Sequence, residues 1–449
     1  MTNCETGGVQ SFIRNSPLLR LILIAFLVLI LQIPISMIEG VIRERQMRRD
    51  QAIEDVTSKW GRQQTLIGPM ITVPYIVEIP EKDDKGVVTI RTETHYAHFL
   101  PEQVHTVGTI DCQVRHRGIF EVPIYEMTLD ITGRFAPPDF SDWGIDPDRI
   151  LWDRACLTQE ISDVHAITNQ VTLGWNGEQI GFSPGAGEAN AENTGIHAAL
   201  KGRMSAQEYP FSYQLLLNGS MGAFFAPVGR DTRVEIRSDW DAPSFQGNWL
   251  PSERTVDRNG FQATWNIPFL GRNYPQRWNG NSDIRGAIAS SVFGVNFIST
   301  VDHYRMAARS VKYEVLFLVL TFATLWLFEV LIGVRIHSIQ YLLVGMGMCV
   351  FYLLELSLAE HIGFLVAYLC ASAAIVILIS AYCIAVLRGI RRGGVIATVT
   401  ALLYAYLYVL LMNEDYALLI GSVGLFVVLG TVMYLTRKID WYSFGKQRV

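Results

Sequence analysis

Hydrophobic and polar positions divide this chain into two regimes. Near its start, Leu18–Ile38 is an almost unbroken apolar run. A long stretch follows in which apolar and polar residues are mixed. Five more apolar runs then come in quick succession: Val315–Gly333, Ile339–Ala359, Ile362–Leu387, Val395–Met412 and Tyr416–Leu435. These lengths match the ~17–25 residues that carry an α-helix across a bilayer. The pattern predicts six transmembrane helices, one followed by five.

The intervening stretch changes period along its length. Residues 39–64 read as a helical stalk, with Ile53, Val56 and Trp60 at helical spacing among mixed charges. From Thr65 the period falls to two. Alternating runs occur at Leu66–Ile79, Val87–His98, Val104–Val114, Ile119–Ile131, Thr168–Phe182, Phe211–Leu217, Arg233–Trp240, Arg254–Ile267 and Ser291–Ser299. Asn176-Gly177 and Asn259-Gly260 each sit between such runs, the strongest short-range signal for a hairpin. Asp139–Trp152 and Pro184–Met204 read as loops. The fold class expected is an α-helical membrane protein with a large β-rich, sandwich-like domain over residues 65–310, followed by a five-helix membrane domain over 311–436.

One apolar run has two distinct sides. Within Ser338–His361, Tyr341, Gly345, Met348, Tyr352, Glu355 and Ala359 share a helical stripe. Leu342, Leu343, Val350, Phe351, Leu354 and Leu358 form the opposite side. The first side is expected to pack on protein and the second to face lipid.

Basic residues set the orientation. Arg335, Arg388, Arg391, Arg392, Arg437 and Lys438 follow alternate spans, whereas the other connectors, Glu360-His361 and Asn413-Glu414-Asp415, carry no Lys or Arg. Residues 1–17 and 437–449 are therefore expected in the cytoplasm and residues 39–310 on the outer side. Arg43, Arg45, Arg48 and Arg49 oppose this arrangement, but a long domain translocates largely regardless of charge. The first apolar run is too long for the core of a cleaved signal peptide and reads as a retained anchor at 18–38.

Composition narrows the function classes. Of 449 residues, 50% are hydrophobic and 18% charged, which excludes an ordinary soluble enzyme. A net charge of −5 gives no footing for nucleic acid. The partners expected are the lipid bilayer and periplasmic protein or cell-wall material; the sequence sets no oligomeric state. Cys112 and Cys156 fall in the outer domain, where oxidising conditions permit a disulfide.

No residue is assigned a catalytic, cofactor-binding or metal-binding role. The sequence lacks HExxH, CxxC and GxxxxGK, and no serine sits in a recognisable nucleophile setting. His95 and His98, three apart on a strand, face opposite sides, so they do not project to one metal ion, and His105 and His116 read as surface positions. Aromatic residues from Phe224 through Phe245, Trp249, Phe261 and Trp265 to Trp278 offer either a glycan- or peptide-binding surface or a core.

Ionisable groups inside the membrane are the remaining candidates, because burying them is expensive. They are Glu329 and Glu355. Each lies about 6 Å inside opposite ends of its span, so in a core of about 30 Å they stand some 18 Å apart along the normal. They cannot form a carboxylate dyad. Arg388 or Arg335 can reach toward Glu329, and Lys312 or His361 toward Glu355, which makes two interhelical staples. A proton or substrate path needs midplane polar groups as well, for which Thr321, Thr324 and Ser380 are sparse.

The stretch HSIQYLLVGMGMCVFYLLELSLAEHIGF (337–364) resembles the signature of the CreD family of bacterial inner-membrane proteins, also called cell-envelope integrity proteins. The resemblance recurs in LIGPMITVPY (66–75), GRDTRVEIRSDWDAPSFQGNWLPSERTV (229–256), GFQATW (260–265) and TRKIDWY (436–442). It implies a Gram-negative inner-membrane protein of envelope integrity. Family genes typically lie under a two-component regulatory system, with links to β-lactam and colicin responses. No catalytic residue set comes with the family. Glu355 stands where the family pattern leads one to expect an apolar residue, whereas Glu329 fits that pattern. The expected function is a non-enzymatic role in envelope integrity or stress tolerance through the outer domain; the alternative is a transporter or lipid-handling protein using the five-helix block.

Overall fold

The computed structural model describes residues 17–82, 88–190, 193–204, 207–280, 284–297, 303–332, 336–387 and 389–437. The chain forms two compact units, Asp50–Thr300 and the combination of Met1–Arg49 with Val301–Val449. The first is β-rich. The second is helical and contains the long apolar helices.

Helix α1 runs from Pro17 to Trp60, so the predicted anchor and stalk are one element. The β-rich unit follows with β1 (Gln64–Lys82), β2 (Val88–Phe99), β3 (Gln103–Arg117), β4 (Phe120–Phe135), β5 (Cys156–Ile161), β6 (Thr172–Trp175), β7 (Glu178–Gly181), β8 (Ser183–Pro184) and β9 (Gly195–Ala199). It continues with β10 (Tyr209–Ser220), β11 (Gly222–Phe225), β12 (Asp231–Ser238), β13 (Pro243–Gly247), β14 (Glu253–Asp257), β15 (Gly260–Pro268), β16 (Arg277–Asn279), helix α2 (Ile284–Ser290) and β17 (Phe293–Phe297).

These strands make two sheets. One has the order β13-β17-β11-β1-β5-β9-β8, with β2 joining β1 to β16. The other has the order β14-β15-β12-β3-β4-β10-β6-β7. Buried residues of both sheets form one hydrophobic cluster, so the β-rich unit has a single core. Strand β10 shows how the sequence builds it: Tyr209, Phe211, Tyr213, Leu215 and Leu217 alternate inward between exposed or half-buried polar positions. Strand β1 is a central member, pairing with β2 and β5 and, in parallel, with β11. Its register against β5 shifts between Ile67 and Met70, where Pro69 offers no N–H to the ladder.

Several sequence expectations are corrected here. Asn176 and Gly177 both take positive φ, 48° and 87°, and turn β6 into β7 as expected of a primed hairpin. The second hairpin differs: Asp257 pairs with Gly260, so Arg258-Asn259 form the turn and Gly260 opens β15. Part of the predicted loop 184–204 is strand β9, which pairs with β5. Of the aromatic residues, Phe224, Phe225, Phe261, Trp265, Tyr274 and Trp278 are buried in the core, whereas Trp240, Phe245, Trp249 and Phe269 are half-buried. Cys112 and Cys156 are both free thiols, one on β3 and one on β5, strands of different sheets.

The helical unit contains α3 (His303–Lys312), α4 (Glu314–Ile332), α5 (Ser338–Ile362), α6 (Phe364–Val386), α7 (Ile390–Met412) and α8 (Ala417–Thr436). With α1, six helices among the described residues are long and apolar enough to cross a membrane. Residues 303–310, placed by the sequence in the β-rich domain, belong to the short helix His303–Lys312, which groups with this unit.

Helix α5 holds the unit together. Its first turn is capped by His337, whose Nδ1 accepts the Ile339 N–H at 3.3 Å while the Gln340 side chain accepts the His337 N–H at 2.8 Å. Its predicted protein-facing stripe, Tyr341, Gly345, Met348, Tyr352, Glu355 and Ala359, is buried throughout. On the other side Leu343 and Val350 are 52% and 47% exposed. Phe351 breaks the prediction. It is fully buried because the Tyr352, Tyr368 and Tyr404 rings close around it, with centroids 5.0, 5.5 and 4.6 Å away. At Gly345 a Cβ would stand 2.3 Å from Leu31 Cδ1 and 2.9 Å from Phe322 Cζ. The missing side chain lets α1 and α4 close on α5. Helix α8 buries none of its described residues and is tied to α7 where the Tyr406 hydroxyl donates to the Ile420 carbonyl at 2.6 Å.

Candidate functional site

The carboxylates of the helical unit fall into two kinds, with and without a cation. Glu329, near the end of α4, forms an ion pair with Arg20 of α1 and accepts the Ile336 N–H at 3.4 Å. Its expected partners Arg388 and Arg335 lie outside the described residues. Arg20 is the cation that sequence reasoning missed. Its signal was present, since a lone arginine in an apolar run needs a partner.

Glu360, at the far end of α5, accepts the Tyr304 hydroxyl at 2.8 Å and lies 3.7 Å from Arg45. Arg49 stacks over the Tyr304 ring at 5.6 Å. Burial first, and then the Glu360 carboxylate, hold the Tyr304 phenol above its ordinary pKa. Glu414 pairs with Arg309 at 2.9 Å. These pairs tie α1 and α3 to the ends of the longer helices.

Glu355 and Glu314 differ. Glu355 is fully buried, and its Oε2 accepts the Ser310 hydroxyl of α3 at 2.9 Å. Its Oε1 has no hydrogen-bond partner among the described residues. Lys312 and His361, the partners expected from sequence, are both exposed. Glu314, the first residue of α4, is 1% exposed; the Gln32 amide of α1 reaches its Oε2 at 3.5 Å, and its Oε1 is likewise unpartnered. Sequence reasoning began this span at Val315 and so left Glu314 outside it. Gln32, a polar residue inside the first apolar run, was the clue.

Tyrosines fill the space around this pair. Tyr352 and Tyr404 are within electrostatic range of both Glu314 and Glu355. The Tyr368 hydroxyl donates to the Tyr404 carbonyl at 2.7 Å. The structure thus gathers buried polar groups at one end of the bundle, where the sequence indicated a single isolated carboxylate. Hydroxyls and carboxyls in this arrangement can hold protons and align helices.

Histidines of the β-rich unit stand apart from one another. His98 is buried, accepts or donates at Nδ1 with Thr72 Oγ1 at 3.1 Å, and stacks on Trp278 at 5.0 Å. His105 meets Glu235 at 3.1 Å, His95 lies 3.5 Å from Glu93, and His116 lies 3.5 Å from Glu121. Among the described residues no three His, Cys, Asp or Glu side chains are grouped to hold a metal ion.

Comparison with known proteins agrees with this architecture. The family described as "Inner membrane protein CreD" matches residues 16–442. The Inner membrane protein CreD of Escherichia coli (strain K12) is 32% identical over 421 residues, covering 93% of this chain and 92% of that protein. With six helices among the described residues apolar and long enough to span a membrane, and a family match over residues 16–442, the chain belongs to the CreD family of inner membrane proteins.

Proposed function

We propose that this protein supports cell-envelope integrity and tolerance of envelope stress without catalysing a reaction. In this reading residues 39–310 lie in the periplasm, both termini lie in the cytoplasm, and the β-rich unit meets periplasmic proteins or cell-wall material. The observation that carries it is the division of the chain into one large β-rich unit with its own core and one helical unit that supplies the spans. Support for the orientation comes from the basic connectors of the helical unit, Arg391, Arg392 and Arg437 among them. Pairing with Arg20 favours packing over transport as the role of Glu329.

Photo-crosslinking in intact cells, with the probe at exposed Leu250 or Leu270 of the β-rich unit, tests the proposal. Recovery of envelope proteins or glycan is expected. Absence of crosslinks beside normal accumulation of the protein overturns it. Membrane-impermeant labelling of single cysteines placed at Leu270 and at Arg437 checks the orientation separately.

A further inference from the structure

We propose that Glu355 and Glu314 form an exchangeable proton site inside the helical unit, at the end that carries α3. The argument starts from charge. Glu329, Glu360 and Glu414 each have an arginine. Glu355 and Glu314 have none among the described residues; each receives one bond from a neutral donor, Ser310 or Gln32. Each also keeps one buried oxygen with no hydrogen-bond partner among the described residues. A carboxylate taken out of water without a counter-charge costs several kcal/mol. A bound species must cancel that charge.

The species is a proton. A metal ion needs several oxygens converging on one point. Here each carboxylate has its own single partner, on a different helix, and among the described residues no three His, Cys, Asp or Glu side chains are grouped to hold a metal ion. A proton needs one free oxygen, which each carboxylate has.

The groups facing the pair come from every neighbouring helix. On α1 the nearest is neutral Gln32, with Arg45 and Arg49 engaged by Glu360 and Tyr304. On α3, Ser310 bonds Glu355, and Arg309 is held by Glu414. Helix α5 itself contributes Cys349 and Tyr352, α6 contributes Tyr368, and α7 contributes Tyr404. Among the described residues, these facing side chains on α5, α6 and α7 include no cation. Each carboxylate takes up one proton from water and returns it to water, so the unit gains or loses one charge per site and no redox step occurs. Because Ser310 links Glu355 to α3, the protonation state acts on the contact between α3 and α5.

The full chain, in lipid nanodiscs, is examined by infrared difference spectroscopy on stepping the pH. The expected result is a protonated-carboxyl C=O signal that loses one component in Glu355→Gln and another in Glu314→Gln. Glu44→Gln, on an exposed turn of α1, keeps both. Ser310→Ala is expected to move the frequency of the Glu355 component without removing it. If a Gln variant does not fold, Glu355→Asp retains a carboxyl and shifts its component; an unshifted signal there overturns the assignment. Signals indifferent to both Gln variants overturn it. So does their removal by added sodium or potassium at fixed pH, which would assign the site to a metal cation.

Discussion

Arg20 and Glu329 are 309 positions apart in the chain and form an ion pair that joins the first helix to α4. The pair lies between two apolar helices, so its worth depends on both members. Truncating Arg20 to Met leaves the buried Glu329 carboxylate with the Ile336 N–H but no cation and is expected to cost about 1–3 kcal/mol. The double variant Arg20→Met/Glu329→Gln is expected to recover most of that loss. Thermal unfolding in detergent measures the cycle.

Gly345 permits the same helices to meet farther along α5. Gly345→Val drives a side chain into Leu31 and Phe322 and is expected to cost about 1–3 kcal/mol by overpacking. Adding Leu31→Ala opens space opposite and is expected to restore part of the stability. Unfolding midpoints and the monodispersity of the purified variants report the effect.

His98 makes the β-rich unit sensitive to acid. Burial lowers its pKa from 6.5 to about 4. The unfolded chain therefore binds the extra proton between these values, and stability falls as pH drops from about 6.5 toward about 4. The loss from this one group is expected to approach roughly 3 kcal/mol. Denaturant titrations followed by tryptophan fluorescence check it, and His98→Phe is expected to flatten the dependence.

The two thiols of the β-rich unit are expected to stay unpaired and slow to react. Burial pushes the Cys112 thiol up to about 12 and raises Cys156 as well, which leaves little thiolate for alkylation or exchange. Mass spectrometry after iodoacetamide treatment should find both unmodified until denaturant is added.

Tyr304 offers a test of the rim. Tyr304→Phe removes the hydroxyl that bonds Glu360 and is expected to cost about 1.5–3 kcal/mol, the usual worth of a hydrogen bond to a charged group. Unfolding of the variant beside Glu360→Gln shows whether the two act through one contact.

Much of this architecture was legible because its signals are periodic. Apolar runs marked the membrane helices, and alternation marked the long strands such as β10 and β12. Short strands escaped where the cause is a neighbour rather than local pattern: β9 is Gly-Ile-His-Ala-Ala and becomes a strand by pairing with β5. Phe351 was assigned to lipid on helical phase alone, and three tyrosines from neighbouring turns and helices bury it. The site was half legible. Glu355 stood out inside an apolar run, but Ser310, Glu314 and Gln32 join it through tertiary packing, which no spacing along the chain encodes.

The position of β1 bears on the order in which the protein can be made. This strand precedes every other described strand in the chain, yet its neighbours include β5 and β11, and the parallel pairing of Gln64 with Ala223 waits for most of the β-rich unit to be synthesised. Pairings so distant in sequence close large loops and form slowly. Until then Leu66, Ile71 and Val73 belong to a strand with one edge paired by β2 and the other open. A hairpin of β1 and β2 alone therefore presents the open edge that β5 and β11 cover in the complete sheet, the kind of edge that invites pairing with other chains.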